Sequence, residues 1–243
     1  MGDVLVITSG KGGVGKSTVA VGLAVSFCQN SKKVLLIDAD EGLRCLDGLL
    51  GAEKSVLYDA ADIQSEPESV ETSVIKTNYK GLYLLAAPAE FGMLDSEKFG
   101  NLVSAAREYY DYVIVDCPAG VEERYYLSLP RDSKVLVVTN SDESAVNGAE
   151  KAGLLVKKLR FTNVRLIVNK FSNKRVGKIH RNIDEIVNKT AIGLIGIIPF
   201  DDEIGESAAK SKAARNGRAV MAFSRIAARI NGVRVLLPKV SKI

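Results

Sequence analysis

The chain has 243 residues, of which 47% are hydrophobic and 26% are charged. This composition is typical of a soluble globular domain whose core needs no disulfide or structural metal. Its three cysteines, Cys28, Cys45 and Cys117, form no CxxC pair, which argues against a disulfide-rich secreted protein and indicates a reducing compartment. The amino-terminal residues lack the features of a signal peptide, and no apolar run approaches the ~20 residues of a membrane-spanning helix. We therefore expect a cytoplasmic protein, at most peripheral on the inner face of the cell membrane.

The net charge of +4 is concentrated near the carboxyl terminus. From Ile204 onward the chain carries nine Lys or Arg residues against one acidic residue, Glu206. A basic region of this kind suits an anionic partner such as DNA or a lipid surface, and it is equally typical of a solvated protein face. The charge pattern leaves these interpretations open.

Short apolar runs rich in Val, Ile and Leu recur along the chain at intervals too long for β-hairpins. They predict strands at Val4–Thr8, Val34–Ile37, Leu82–Ala86, Tyr112–Val115, Lys134–Thr139, Arg165–Val168 and Leu194–Ile198. Helical periodicity fills most of the intervals, including residues 19–27, 145–159 and 218–230. This alternation predicts an α/β fold with a doubly wound, mostly parallel sheet and helices on both faces. We predict one domain over residues 1–243, with 232–243 as a tail and 51–78 as its most mobile excursion.

The first predicted strand leads directly into a glycine-rich loop. Residues 10–17 have the sequence GKGGVGKS, a full match to the GxxxxGK[ST] pattern of phosphate-binding loops, and an amphipathic helix follows. Gly12, Gly13 and Gly15 let backbone N–H groups close around phosphate oxygens, where a Cβ atom would obstruct them. The pattern predicts a nucleoside triphosphate site in which Lys16 contacts the β- and γ-phosphates and Ser17 binds Mg²⁺.

Acidic residues follow two of the predicted strands. Asp116 comes directly after Tyr112–Val115, where such a site needs a carboxylate for the metal shell. Asp38 and Asp40 follow Val34–Ile37; their side chains point the same way if that strand continues, and diverge if it breaks. We assign Asp38 and Asp116 to Mg²⁺ and Asp40 to the water that attacks the γ-phosphate.

Several segments together resemble the MinD branch of the MinD/ParA family, the P-loop ATPases with a deviant Walker A motif. They are GKGGVGKST from Gly10, VLLIDADEGLRCLDGLLG at 34–51, DYVIVDCPAG at 111–120, IVNK at 167–170 and IGIIPFD at 195–201. The GLRCLD stretch is more similar to MinD than to plasmid-partition ParA proteins, where a DPQG-type sequence is usual. The resemblance covers the chain from Gly10 to Asp201.

The resemblance implies a role for Lys11, which the loop motif alone does not require. In this family the corresponding lysine contacts the nucleotide of the partner subunit, so that ATP bridges a homodimer. Asn169 is implied to bind the adenine amino edge, beside a turn that lines the base. The full implied nucleotide-binding set is Gly10, Lys11, Gly12, Gly13, Val14, Gly15, Lys16, Ser17, Thr18, Asn169, Pro199, Phe200 and Asp201, with Lys11, Lys16 and Asp40 as its catalytic members.

The implied activity is slow hydrolysis of Mg-ATP, stimulated by a protein partner, in a switch that positions cell-division or other polar machinery. The chain departs from the family pattern at TNSDESAV (139–146), which is expected to border the dimer interface, and in its tail. There Gly232 and Pro238 disfavour a final amphipathic helix. An anionic membrane surface stays among the predicted partners, since VRVLLPKV can insert weakly.

Two other classes of ATPase with the same loop motif provide alternative functions. A ParA-type ATPase would hold DNA phosphates through Arg215, Arg218, Arg225 and Arg229. An iron–sulfur carrier would need paired cysteines at a dimer interface, and Cys117 alone is a poor ligand set. We therefore predict no metal cluster and keep DNA binding as the alternative function.

Overall fold

The structure is a computed structural model that describes residues 1–173, 176, 181–209 and 217–238. Within this part of the chain, eight strands form one sheet in the order β3-β4-β2-β5-β1-β6-β7-β8. The strands are β1 (Asp3–Ser9), β2 (Val34–Asp38), β3 (Ile75–Lys76), β4 (Leu82–Leu85), β5 (Tyr112–Ala119), β6 (Lys134–Thr139), β7 (Asn163–Phe171) and β8 (Leu194–Pro199). All neighbouring pairs are parallel except the edge pair β3–β4, which is antiparallel. The predicted doubly wound α/β fold is confirmed.

Helices pack with their buried sides against both faces of the sheet. They are α1 (Lys16–Gln29), α2 (Cys45–Leu50), α3 (Ala60–Ile63), α4 (Val70–Ser73), α5 (Ser96–Ala106), α6 (Glu143–Lys158), α7 (Ile183–Thr190), α8 (Asp202–Ala209) and α9 (Arg218–Ile230). Short 3₁₀ turns occupy Glu53–Ser55, Pro67–Ser69 and Glu123–Tyr125. Two buried apolar clusters result, one on each face, because strands such as β2 are buried along their whole length. None of the described helices is long and apolar enough to cross a bilayer.

One prediction about local structure is wrong. The strand predicted to end before Asp116 continues through it to Ala119, because β5 keeps pairing with β1 as far as Ser9. Residues 51–78 contain two short helices and the edge strand β3, and their mobility stays a prediction. Ala60, Ile63 and Val70 of this segment are buried in the core, whereas Leu57 and Tyr58 are exposed.

Helix α9 packs against α1 and β8, as its apolar face predicts. Close approach requires glycine at Gly22, where a Cβ atom would lie 2.5 Å from the Phe223 ring. On this helix Val220 is only half-buried, whereas Ala219 and Ile226 are buried. The tail is not helical over residues 233–238, as predicted.

Candidate functional site

The glycine-rich loop lies between β1 and α1, at the carboxyl edge of the sheet. Its backbone depends on glycine: Gly13 and Gly15 have φ of 79° and 89°, a left-handed conformation that other residues adopt at a cost. At Gly10 a Cβ atom would lie 1.9 Å from the Gly148 carbonyl oxygen of α6, so the loop rests directly on that helix. These constraints hold the loop in one shape, with the amino end of α1 directed at the space above it.

Lys16, the first residue of α1, is buried against two carboxylates. Its Nζ lies 2.8 Å from Asp116 Oδ1 and 3.8 Å from Asp40 Oδ2. Burial alone would lower the pKa of Lys16, but the charge and hydrogen bond of Asp116, together with Asp40, raise it above its ordinary value. The lysine is therefore a permanent cation at the base of the loop.

Asp116 is fully buried in the middle of β5 and retains one unused acceptor. Its Oδ2 has no hydrogen-bond partner among the described residues. Burial raises the pKa of Asp116, while the charge of Lys16 and the Ser17 hydroxyl act against that rise. A buried carboxylate oxygen left without a donor fits a water or metal-bound water, so Asp116 and Ser17 suit the predicted Mg²⁺.

Asp38 and Asp40 diverge, because β2 ends at Asp38 and the chain then turns. Asp38 is buried, and its two oxygens accept hydrogen bonds from the backbone amides of Asp40 (2.9 Å) and Leu46 (3.0 Å). Burial, reinforced by the nearby charge of Asp116, raises the pKa of Asp38 to about 7. Asp40 instead faces Lys16, and burial raises its pKa also. Asp38 therefore holds the loop through two backbone hydrogen bonds, and its predicted place in the Mg²⁺ shell stays a prediction. Asp40 lines the cleft.

Lys11 lies at the rim of the site and points away from Lys16. Its ammonium contacts the Asp142 carboxylate at 3.2 Å and the Ser144 hydroxyl, both in the predicted interface segment 139–146. The side chain is 45% exposed. Asp142 also caps α6 through the Ala145 amide, and these contacts lower its pKa to about 2 against the opposing effect of burial.

A second, apolar pocket of about 270 Å³ adjoins the loop. Of the residues predicted to hold the base, Asn169, Pro199, Phe200 and Asp201 all line it, together with Thr18. The Asn169 side-chain amide is buried and donates to the Val14 carbonyl at 2.8 Å. The structure therefore brings the predicted base site and the phosphate loop together.

The loop itself opens into a larger cleft of about 610 Å³, lined by Gly12, Lys16, Ser17, Asp40 and other residues. Lys170 borders both this cleft and the base pocket. It is the last residue of the IVNK segment, and no role was predicted for it. It has a φ of 52°, and its Nζ lies 3.1 Å from the Gly13 carbonyl oxygen. Its position directly after Asn169 was the one signal available in the sequence.

The metal has few protein ligands available. No three His, Cys, Asp or Glu side chains among the described residues come together as a metal-binding group. A Mg²⁺ ion in this cleft would therefore depend on phosphate oxygens and water in addition to Ser17, as is usual for this ion. Cys117, next to Asp116, is buried, and that burial raises the pKa of its thiol.

Four carboxyl-terminal arginines were predicted to bind DNA phosphates in a ParA-type function. The Arg229 guanidinium donates to the carbonyl oxygens of Ile195, Val235 and Leu236, so it anchors the tail to β8. Three of its five N–H donors are therefore used within the protein. Arg218 and Arg225 are exposed, and Arg215 lies outside the described residues. DNA binding by these arginines stays a prediction.

Comparison with known proteins places these features in a family. The model of the CobQ/CobB/MinD/ParA nucleotide binding domain matches residues 5–214. The septum site-determining protein MinD of Bacillus subtilis is 36% identical over 98% of this chain and 92% of its own length. MinD of Synechocystis sp. is 34% identical over 84% of this chain and 78% of its own length. The MinC:MinD cell division protein complex of Aquifex aeolicus superposes with a TM-score of 0.86 and 31% identity, over 98% of this chain and 99% of that one. The chain therefore belongs to the CobQ/CobB/MinD/ParA family of nucleotide-binding domains, in its MinD branch.

Proposed function

We propose that this chain is a MinD-like ATPase that binds Mg-ATP, dimerises and uses slow, partner-stimulated hydrolysis to position cell-division machinery. The observation that carries the proposal is the buried Lys16 ammonium, held between Asp116 and Asp40 at the base of a glycine loop. Such a cation, with an adenine-sized pocket beside it, suits a nucleoside triphosphate better than an isolated phosphate. The MinD relatives support the cell-division role.

The base and phosphates are assigned to the two adjoining cavities. Since the Asn169 amide nitrogen already donates to Val14, the Asn169 carbonyl oxygen is the atom that would accept the adenine amino group. Phe200, which is 38% exposed, would cover the base together with Pro199. Lys16 and the backbone amides of the loop would hold the β- and γ-phosphates.

Hydrolysis requires charge stabilisation and one oriented water. Lys16 would exchange part of its contact with Asp116 for phosphate oxygens, which places positive charge where negative charge develops. Asp40 lies beside that ammonium and would orient the water by accepting its hydrogen bond. When bound, Mg²⁺ supplies Lewis-acid stabilisation of the phosphate oxygens. Ser17 and Asp116 are the side chains proposed to hold it, and Asp38 supports them through the loop.

The dimer is proposed to form through the face that carries Lys11. Because Lys11 is exposed and its cis contacts with Asp142 and Ser144 are at the surface, they can be exchanged for a partner's phosphates at little cost. We propose one domain for residues 1–243, with residues 232–243 as its tail. Exposed Val233, Leu236 and Leu237 in that tail suit weak, reversible attachment to an anionic membrane from the cytoplasmic side.

A protein partner is proposed to stimulate turnover. The Aquifex aeolicus protein is named as a complex of MinC with MinD, and we extend a partner of that kind to this chain. A ParA-type function on DNA is the weaker alternative, because the chain lies in the MinD branch.

The decisive experiment compares Asp40→Ala and Lys16→Ala with the parent protein in Mg-ATP. Asp40→Ala should bind ATP and dimerise, but hydrolyse it about 100-fold more slowly. Lys16→Ala should fail earlier, at productive binding of nucleotide. Flotation of Asp40→Ala with anionic liposomes, in ATP against ADP, then tests membrane attachment. Wild-type turnover by Asp40→Ala would refute the assignment of the water.

A further inference from the structure

Glu41 is a buried carboxylate that none of the predicted roles uses. Its side chain has no exposed surface, although it directly follows Asp40 at the edge of the cleft. One carboxylate oxygen accepts a hydrogen bond from the Leu94 amide at 2.8 Å. The other accepts from the Arg124 guanidinium and the Tyr125 hydroxyl, each at 2.7 Å. Glu41 therefore joins three segments that are far apart in the sequence.

Glu41 is ionised in this setting. Burial alone would raise its pKa, but the Leu94 amide, the Tyr125 hydroxyl and the charge of Arg124 together hold the pKa of Glu41 below its ordinary value. Arg124 also pairs with the exposed Glu122, and its guanidinium lies 4.3 Å from the centre of the Tyr125 ring. Loss of any one of these hydrogen bonds would leave the buried Glu41 charge with fewer donors, which costs free energy. The contacts should therefore form and break together.

Adjacent carboxylates thus face opposite directions. Asp40 points to Lys16, whereas Glu41 points away from the cleft to Arg124. The backbone between them is fixed, because the amides of Leu43 and Arg44 both donate to the Asp40 carbonyl. The two carboxylates are separated by this one peptide, so a backbone shift at Glu41 would reach Asp40 directly.

The segment that Glu41 contacts begins just beyond Asp116. One end is tied to the last residue of β1, directly before the glycine loop, since the Gly120 amide donates to the Ser9 carbonyl at 2.8 Å. The other end is tied to the same strand by a 2.7 Å hydrogen bond between Tyr126 and Thr8. Between these anchors, Tyr125 packs in the buried core, the Ser96 hydroxyl donates to the Arg124 carbonyl at 2.6 Å, and both side chains contact Glu41.

We propose that Glu41 is a positioning residue of the ATPase site, which couples the loop bearing Asp40 to the 121–126 segment through Arg124 and Tyr125. This proposal rests on the proposed hydrolysis of ATP. It adds a side-chain link between the loop that bears Asp40 and the 121–126 segment. A change in either loop on nucleotide binding is then transmitted to the other. The water-positioning carboxylate takes its place only while the link is intact.

The kinetic test uses Glu41→Gln, which keeps the shape and removes the charge, together with Arg124→Met and the double variant. Each single variant should lower kcat by about 10- to 100-fold, because a small misplacement of Asp40 is sufficient. The KM for ATP should stay within about threefold, since neither residue lines the base pocket or the cleft at the loop. The double variant should be no slower than the worse single variant, and Arg124→Lys should recover part of the rate.

The matched control is Glu123→Gln. Glu123 is adjacent to Arg124 but pairs with exposed Lys158 on the opposite side, so this variant removes a charge from the same segment without touching Glu41. It should hydrolyse ATP at the parent rate. Equal losses in Glu123→Gln and Glu41→Gln, or additive losses in the double variant, would overturn the proposal. Thermal unfolding confirms that each variant is folded.

A binding readout separates this proposal from the proposed function. The chain contains no tryptophan, so Leu127→Trp, at a 47% exposed position beside the segment, supplies a single fluorescent reporter. A non-hydrolysable ATP analogue with Mg²⁺ should shift its emission, and Glu41→Gln should abolish the shift while a fluorescent nucleotide still binds. An unchanged shift in Glu41→Gln would refute the coupling. Failure of the parent protein to bind nucleotide would instead refute the proposed function.

Discussion

The Asn169 side-chain amide donates to the Val14 carbonyl oxygen at 2.8 Å, across 155 positions of sequence. This contact attaches the end of β7, which borders the base pocket, to the loop proposed to hold the phosphates. It also explains the need for glycine at the next loop position. A Cβ atom on Gly15 would lie 2.4 Å from the same amide nitrogen.

Gly15→Ala is therefore expected to disrupt the site in two ways. The residue has a φ of 89°, which by itself costs about 1 kcal/mol for alanine. Displacement of Asn169 adds a further ~1–3 kcal/mol and should abolish nucleotide binding, because both cavities lose their shared wall. Urea unfolding and a fluorescent-nucleotide titration measure the two effects.

The control is Gly92→Ala, whose φ of 82° gives the same strain but whose Cβ would meet nothing within 4 Å. It should lose only about 1 kcal/mol of unfolding free energy and bind nucleotide normally. Equal unfolding free energies and equal nucleotide binding in the two variants would show that the Asn169 contact contributes to neither.

Lys170 is expected to contribute to nucleotide affinity. Its ammonium lies 3.1 Å from the Gly13 carbonyl at the junction of the two cavities, where it can reach a phosphate or ribose. Lys170→Met should weaken ATP binding by about tenfold, since one charge-assisted contact is lost, and should leave kcat within about threefold. Lys157→Met is the matched control, because Lys157 also donates to a backbone carbonyl, that of Ala191, away from the site. Equal affinities of Lys170→Met and Lys157→Met for ATP would show that Lys170 does not contact the nucleotide.

The stability of the nucleotide-free protein should fall as pH rises from about 4 to about 7. The pKa of Asp38 is raised from 3.8 to about 7 in the fold, first by burial and then by the charge of Asp116. Across that window the folded protein keeps a proton that the unfolded chain has released, so ionisation at higher pH opposes folding. The loss should be roughly 2 kcal/mol between pH 5 and pH 7.

Asp38→Asn should flatten this pH dependence of the unfolding free energy, measured by urea denaturation at several pH values. Asp132→Asn is the control: Arg107 lowers the pKa of Asp132, so its stabilisation is present at neutral pH and lost only in acid. A slope that persists in Asp38→Asn would mean that another group, such as Asp116, takes up the proton.

Lys11 is expected to act on dimerisation rather than on binding within one chain. Lys11→Ala, placed in an Asp40→Ala background to prevent hydrolysis, should bind ATP within about threefold of its parent and remain monomeric. Light scattering after size exclusion measures the mass. The control is Lys134→Ala, which removes a surface ion pair with Asp3 at the opposite edge of the sheet. An ATP-dependent dimer that survives Lys11→Ala would refute the role in trans.

The sequence by itself predicts the phosphate loop, the doubly wound parallel sheet and most of the candidate site residues. This is possible because the loop, its glycines and Lys16 are contiguous, and because buried parallel strands have unbroken apolar sequences. Asp40 follows from the same logic, since it lies just beyond the end of β2 at that edge of the sheet. Asp116 pairs with Asp38, the last residue of β2, although its own strand continues.

Only the tertiary structure decided how these residues divide their tasks. Asp38 and Asp40 are two positions apart, but the end of β2 sends one into backbone hydrogen bonds and the other to Lys16. The links from Lys170 to Gly13 and from Glu41 to Arg124 join residues 157 and 83 positions apart. No local pattern encodes such contacts, because they arise when separate loops converge at the carboxyl edge of the sheet.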